Sequence, residues 1–62
     1  MKTVFYYHGE HERVLLTADG YIYLKNFDKV YVDKIGYIVS GRLFDADLNQ
    51  LTIFVDDPIP ED

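Results

Sequence analysis

Asp45, Asp47 and Asn49 stand at alternate positions, and Asp56 follows eleven residues after Asp45. Oxygen ligands at the first, third, fifth and twelfth places of a loop are what a calcium ion requires, because a hard cation gathers several oxygens from one sharply turned segment. Two features depart from that pattern. Gln50 occupies the place where glycine permits the turn, and Asp56 is shorter than the glutamate that chelates through both oxygens. Asp and Asn also have a plainer use in such a loop, which is to accept hydrogen bonds from their own backbone in a hairpin turn. A second group, His8-Gly9-Glu10-His11-Glu12, offers two imidazoles and two carboxylates to a transition metal such as zinc. On a strand running into a turn, His8 and His11 need not converge, and a solvated polar turn explains the same residues. Neither group is assigned as a metal site, and no cofactor is expected.

Nucleophilic chemistry has less material. The chain has no cysteine, and Thr3, Thr17, Ser40 and Thr52 are its aliphatic hydroxyls, none beside a histidine in sequence. No glycine-rich phosphate cradle is present. A chain of 62 residues also leaves little room for a substrate cleft of about 300 Å3 or more. A non-enzymatic role is the expectation.

These side chains must be positioned by short β-type runs: Thr3–His8, Arg13–Thr17, Tyr21–Lys25, Val30–Val32, Tyr37–Phe44 and Leu51–Asp56. Turn residues separate them, and no window shows a convincing helical period. The fold class is therefore all-β, a five- or six-stranded antiparallel barrel or strongly bent sheet, SH3-like in scale. In the first run Val4, Tyr6 and His8 share one face and Thr3, Phe5 and Tyr7 the other. Both faces are largely apolar, which suits a central strand. Asp19-Gly20 supplies the positive φ angles of a tight hairpin turn. In Tyr21–Lys25 the aliphatic Ile22 and Leu24 point inward and the tyrosines outward. Tyr31 also faces out, Gly36 marks a bend, and Ser40-Gly41 marks a bulge or a barrel corner. Leu51, Ile53 and Val55 face the core. Domain organisation is a single β domain over 1–56 and an extended, mobile acidic tail over 57–62, where Pro58 and Pro60 cannot donate to a ladder.

Size makes this domain marginal, since a chain of about 60 residues buries only about 60% of its unfolded surface. Without cysteine it has no disulfide staple. No apolar stretch reaches the roughly 20 residues of a membrane span. The N-terminal Met-Lys-Thr-Val-Phe lacks the pattern of a signal peptide, so a soluble, cytoplasmic protein is expected. Residues 1–44 carry six bases and five acids, a net of +1, while residues 45–62 carry six acids and no base, a net of −6. Together these give −5. Direct nucleic-acid binding is disfavoured by that field, and a basic protein partner suits it.

Residues 33–57 resemble the central hairpin of PRC-barrel domains. An Ile-Gly step opens a strand at Ile35-Gly36, an Asp begins the loop at Asp45, and an aliphatic strand follows at Leu51–Val55. Phe44-Asp45-Ala46-Asp47-Leu48-Asn49 is similar to the Asp and Asn positions of the Sm-type signature, although the distance from Gly41 is two residues shorter than in that family. The resemblance implies a small, strongly bent barrel and an adaptor or assembly role, with protein or RNA as the bound partner.

Six tyrosines and four phenylalanines exceed what so small a core can hide. Tyrosine combines contact area with a polar tip and is favoured at interfaces. The functional expectation is a protein-interaction module, an adaptor, regulator or inhibitor, that binds a basic partner or a second copy of itself. Tyr21, Tyr23 and Tyr31, on adjacent strands, would form its contact face, and Asp45, Asp47, Asp56 and Asp57 would steer the encounter. The alternatives are an acidic nucleic-acid mimic that blocks a nucleic-acid-binding protein, and a small calcium or zinc protein using Asp45, Asp47, Asn49 and Asp56 or His8 and His11.

Overall fold

Lys2–Tyr7 (β1) combines β-branched and aromatic residues on both faces, the composition that suits a strand inside a sheet. The computed structural model, which describes residues 1–58, gives it two strand neighbours. The others are Arg13–Asp19 (β2), Lys29–Val32 (β3), Ile35–Asp45 (β4) and Gln50–Asp56 (β5). They form one strongly bent sheet in the order β2-β1-β5-β4-β3, nearly closed into a barrel. The β1–β2, β3–β4 and β4–β5 pairs are antiparallel. The β1–β5 pair is parallel, so the sheet is mixed and not wholly antiparallel.

The inner face holds the core. Thr3, Phe5 and Tyr7 lie beside Leu51, Ile53 and Val55 in parallel register. Tyr37 and Val39 of β4 complete the buried cluster, and Leu15, Ile22, Leu24, Val30 and Val32 pack on its margin. Alternation in β5 is strict: every second side chain is buried, and Ile53 is fully so. Burying such a side chain contributes about 1.5–3 kcal/mol. Leu15 is the extra residue of a bulge, because Phe5 pairs with Leu16 and Tyr6 with Val14.

Tyr21–Lys25 corrects the expectation of a strand. Order in the sheet puts β2 at one edge and β3 at the other, so the chain between them must cross the barrel instead of adding to an edge. Asp19-Gly20 is therefore not the expected hairpin turn: Gly20 alone of the pair has positive φ, at 89°, and it turns the chain across. Thr3, fully buried, then anchors the crossing: its hydroxyl donates to the Gly20 carbonyl at 2.7 Å and accepts from the Ile22 amide at 3.2 Å. Ile22 and Leu24 do face the core and Tyr21 and Tyr23 do face out. The far end is held by Arg42, whose guanidinium donates to the Leu24 carbonyl at 2.8 Å and to Asn26 Oδ1 at 3.1 Å.

The β3–β4 hairpin turns at Asp33 and Lys34, both with positive φ, and not at Gly36. Two left-handed residues in succession are what a tight two-residue hairpin loop needs. Gly36 stays in the strand opposite Tyr31, whose ring lies 3.4 Å from the place a Cβ would occupy. Ser40 is the extra residue of a bulge in β4, as expected from Ser40-Gly41. Asp57 and Pro58 leave the sheet. Residues 59–62, the rest of the expected acidic tail, lie outside the described residues.

Candidate functional site

Strand pairing separates the calcium-type ligand set. Asp45, Asp47 and Asn49 lie at the β4–β5 turn, whose closing pair is Asp45 with Gln50. Asp56 pairs with Ile38 at the other end of β5, about 20 Å away at the usual rise per strand residue. Asp45 Oδ1 accepts the Leu48 amide at 3.1 Å, which is the self-capping role that Asp has in turns. The histidines are separated too. His8 turns to Ser40, whereas His11 offers its backbone carbonyl to Arg13. Among the described residues no group of three or more His, Cys, Asp or Glu could hold a metal ion.

Tyr21, Tyr23 and Tyr31 are 57%, 65% and 76% exposed. They are not on adjacent strands: two lie on the crossing segment and one on β3. Arg42 stands 5.9 Å from the Tyr23 ring centre. Phe27, the turn residue beyond them, is also exposed and holds φ 74°, a conformation costly for a bulky side chain. The acids divide between the two ends of β5, with Asp45 and Asp47 at one and Asp56 and Asp57 at the other. The described acids of the last third of the sequence are therefore not one patch in space.

Asp57 has a structural partner that its position in the chain did not announce. Both of its oxygens lie 2.9 Å from the buried Tyr7 hydroxyl, which donates to them. Hydrogen bonding to Asp57, followed by burial and the carboxylate charge, raises the Tyr7 pKa above 10.0. Arg13 covers the same ring at 4.8 Å, and Tyr37 meets it edge-on at 5.6 Å. Gly9 makes room for this contact, since a Cβ there would overlap the Tyr7 hydroxyl.

On the opposite, outer face, against the expectation that so short a chain leaves little room for a cleft, an open, shallow hollow of about 400 Å3 is lined by Tyr6, His8, Glu12, Ser40, Gly41 and Phe54. Parallel pairing sets Tyr6 beside Phe54, and the next outward residue of the chain is His8. The Phe54 ring is nearly perpendicular to both, at 84° to Tyr6 and 88° to His8. Tyr6 donates its hydroxyl to Glu12 Oε2 at 3.2 Å. Desolvation, with the charge of Glu12 and the bond to it, raises the Tyr6 pKa, which keeps that proton in place.

His8 Nε2 and Ser40 Oγ are 2.5 Å apart, a contact that residues 8 and 40 conceal in sequence. A serine beside an imidazole is the first part of a nucleophile–base pair. Here the serine is occupied otherwise: Ser40 Oγ also donates to the Phe54 carbonyl at 3.3 Å. With the proton directed there Ser40 accepts from an Nε2–H of His8, and in the other tautomer the imidazole is the acceptor. The bulge explains the bond, because the extra residue is pinned from both sides. The signals for this hollow were partial. The shared face of Tyr6 and His8 and the bulge at Ser40-Gly41 were legible, but not the parallel pairing that brings Phe54 against them. No helix among the described residues is long and apolar enough to cross a membrane. The chain matches no protein family, no curated protein and no solved structure.

Proposed function

We propose that the protein is a non-enzymatic interaction module that binds another protein through outward aromatic side chains. The observation that carries this reading is the balance of its apolar residues. Among the described residues eleven large hydrophobic side chains are exposed, including Tyr21, Tyr23, Phe27, Tyr31 and Ile35, against eight hydrophobic residues in the buried core. Scattered exposed apolar residues are ordinary on any surface. Phe27 is not ordinary, because its exposed ring contributes little to the core while its backbone stays in a conformation that glycine would occupy without strain.

Net charge of −5 favours a basic partner. The division of the described acids between the two ends of β5 supports this reading over a nucleic-acid mimic, which needs a continuous strip of negative charge. The PRC-barrel resemblance of residues 33–57 belongs to the same proposal, as does a cytoplasmic location: it describes an adaptor that recognises a protein and carries out no chemistry. Self-association is the nearest variant.

The test compares the native chain with the Tyr21→Ser/Tyr23→Ser/Tyr31→Ser variant. Each protein is immobilised and exposed to extract of its host, and sedimentation velocity is run on both. Capture of one partner, or a native dimer, that disappears in the variant is the expected result. A partner held equally by both proteins, or a monomer that retains nothing, counts against the reading.

A further inference from the structure

The geometry points to the outer-face hollow as a slot for the guanidinium group of an arginine side chain on the partner protein. This rests on the interaction-module reading and specifies its partner's chemistry. Three rings shape the slot, with Phe54 nearly perpendicular to Tyr6 and to His8. Aromatic faces carry negative potential and attract a cation laid against them. Glu12 supplies the full negative charge among the lining residues. Its bond from Tyr6 comes from a neutral hydroxyl, which orients the carboxylate and leaves its charge uncompensated by that donor. The adjacent Arg13 does not supply the cation, because its guanidinium bonds the His11 carbonyl and covers the Tyr7 ring of the inner face.

Arginine fits better than lysine. Its planar, weakly hydrated cation lays a flat face on a ring and turns a two-pronged edge to a carboxylate, whereas an ammonium is a compact, strongly hydrated point charge with no flat face. The chain itself uses this chemistry twice, with Arg13 over Tyr7 and Arg42 over Tyr23. A hollow of about 400 Å3 accommodates one such side-chain head. A nucleotide would bring its phosphate toward Glu12, so an anionic ligand is disfavoured by the same carboxylate.

The experiment is a titration of the isotope-labelled native chain, followed by backbone and side-chain NMR shifts. The probe is N-acetyl-arginine methylamide, with the lysine and citrulline analogues as controls. Saturable shifts centred on Tyr6, His8, Glu12, Ser40, Gly41 and Phe54 are expected with arginine. Citrulline, which keeps the shape and loses the charge, should give none. Glu12→Gln should weaken arginine binding about fivefold, the order of an exposed ion pair, with an unchanged melting temperature. Absence of saturable shifts, shifts centred elsewhere, equal binding of citrulline, or indifference to Glu12→Gln overturns the slot. Lysine binding as tightly as arginine overturns the guanidinium assignment. If the arginine probe fails while capture still depends on Tyr21, Tyr23 and Tyr31, the slot is wrong and the interaction reading stands.

Discussion

The inner and outer faces of the β1–β5 pair are built from neighbouring residues on the same two strands, yet they are occupied in opposite ways. Inside, Phe5 and Tyr7 close against Ile53 and Val55, and the polar atoms there have partners: Thr3 binds the crossing segment and Tyr7 binds Asp57. Outside, Tyr6 and His8 stand with Phe54 around an open hollow that has a carboxylate among its lining residues. The contrast teaches that one alternating pattern can fill one face of a strand pair and leave the other open, and the proposed function assigns contact to the open one. Substitutions on the inner face should then move the melting temperature, and those on the outer face should move binding.

Ile53→Ala is the strongest break of the inner face. Loss of a fully buried branched side chain costs about 2–5 kcal/mol, comparable with the whole stability of a domain this small. Circular dichroism should show the variant largely unfolded at 37 °C. Gly9→Ala comes next, at about 1–3 kcal/mol, as expected for overpacking, because the new methyl displaces the Tyr7 hydroxyl from Asp57. Chemical denaturation would register it, and a native midpoint would refute the role given to Gly9. Phe27→Gly works in the other direction, gaining up to about 1 kcal/mol by relieving the left-handed backbone, while partner capture weakens. Tyr6→Phe, which removes only an outer hydroxyl, should change stability by no more than about 0.5 kcal/mol.

Alkaline titration sharpens the same contrast. The folded-state pKa of Tyr7 is raised above 10.0, so the folded chain holds that proton more tightly than the unfolded chain does. Its stabilising contribution is complete below pH 10 and is lost as pH rises from there through the folded pKa. Melting temperature should fall over that range in the native protein and fall less in Tyr7→Phe.

Much of this architecture was legible in the residues, for identifiable reasons. A strand largely apolar on both faces reads as central, and β1 lies between β2 and β5. Ser40-Gly41 announced the bulge, and the alternation of Leu51, Ile53 and Val55 announced the core. Tyr21–Lys25 shows where the pattern stops informing. Alternation reports which side chains are buried and not whether the backbone has a ladder partner, so an extended crossing and a strand look alike. Asp33-Lys34 carries positive φ at both residues without the glycine that normally signals it, which drew attention to Gly36. The hollow was hidden because its residues come from positions 6–12, 40–41 and 54 and meet only through pairing. Asp45, Asp47, Asp56 and Asp57 misled for the same reason, since residues clustered in sequence are drawn out along β5.

Whether outward aromatic rings exist for recognition can be decided on one sample. The Tyr21→Ser/Tyr23→Ser/Tyr31→Ser protein should melt within about 3 °C of the native chain, as surface changes do, and titrating the captured partner into it by calorimetry should produce no heat of binding. An affinity equal to that of the native chain, or a collapse of the fold in the variant, would contradict the assignment of these side chains to contact.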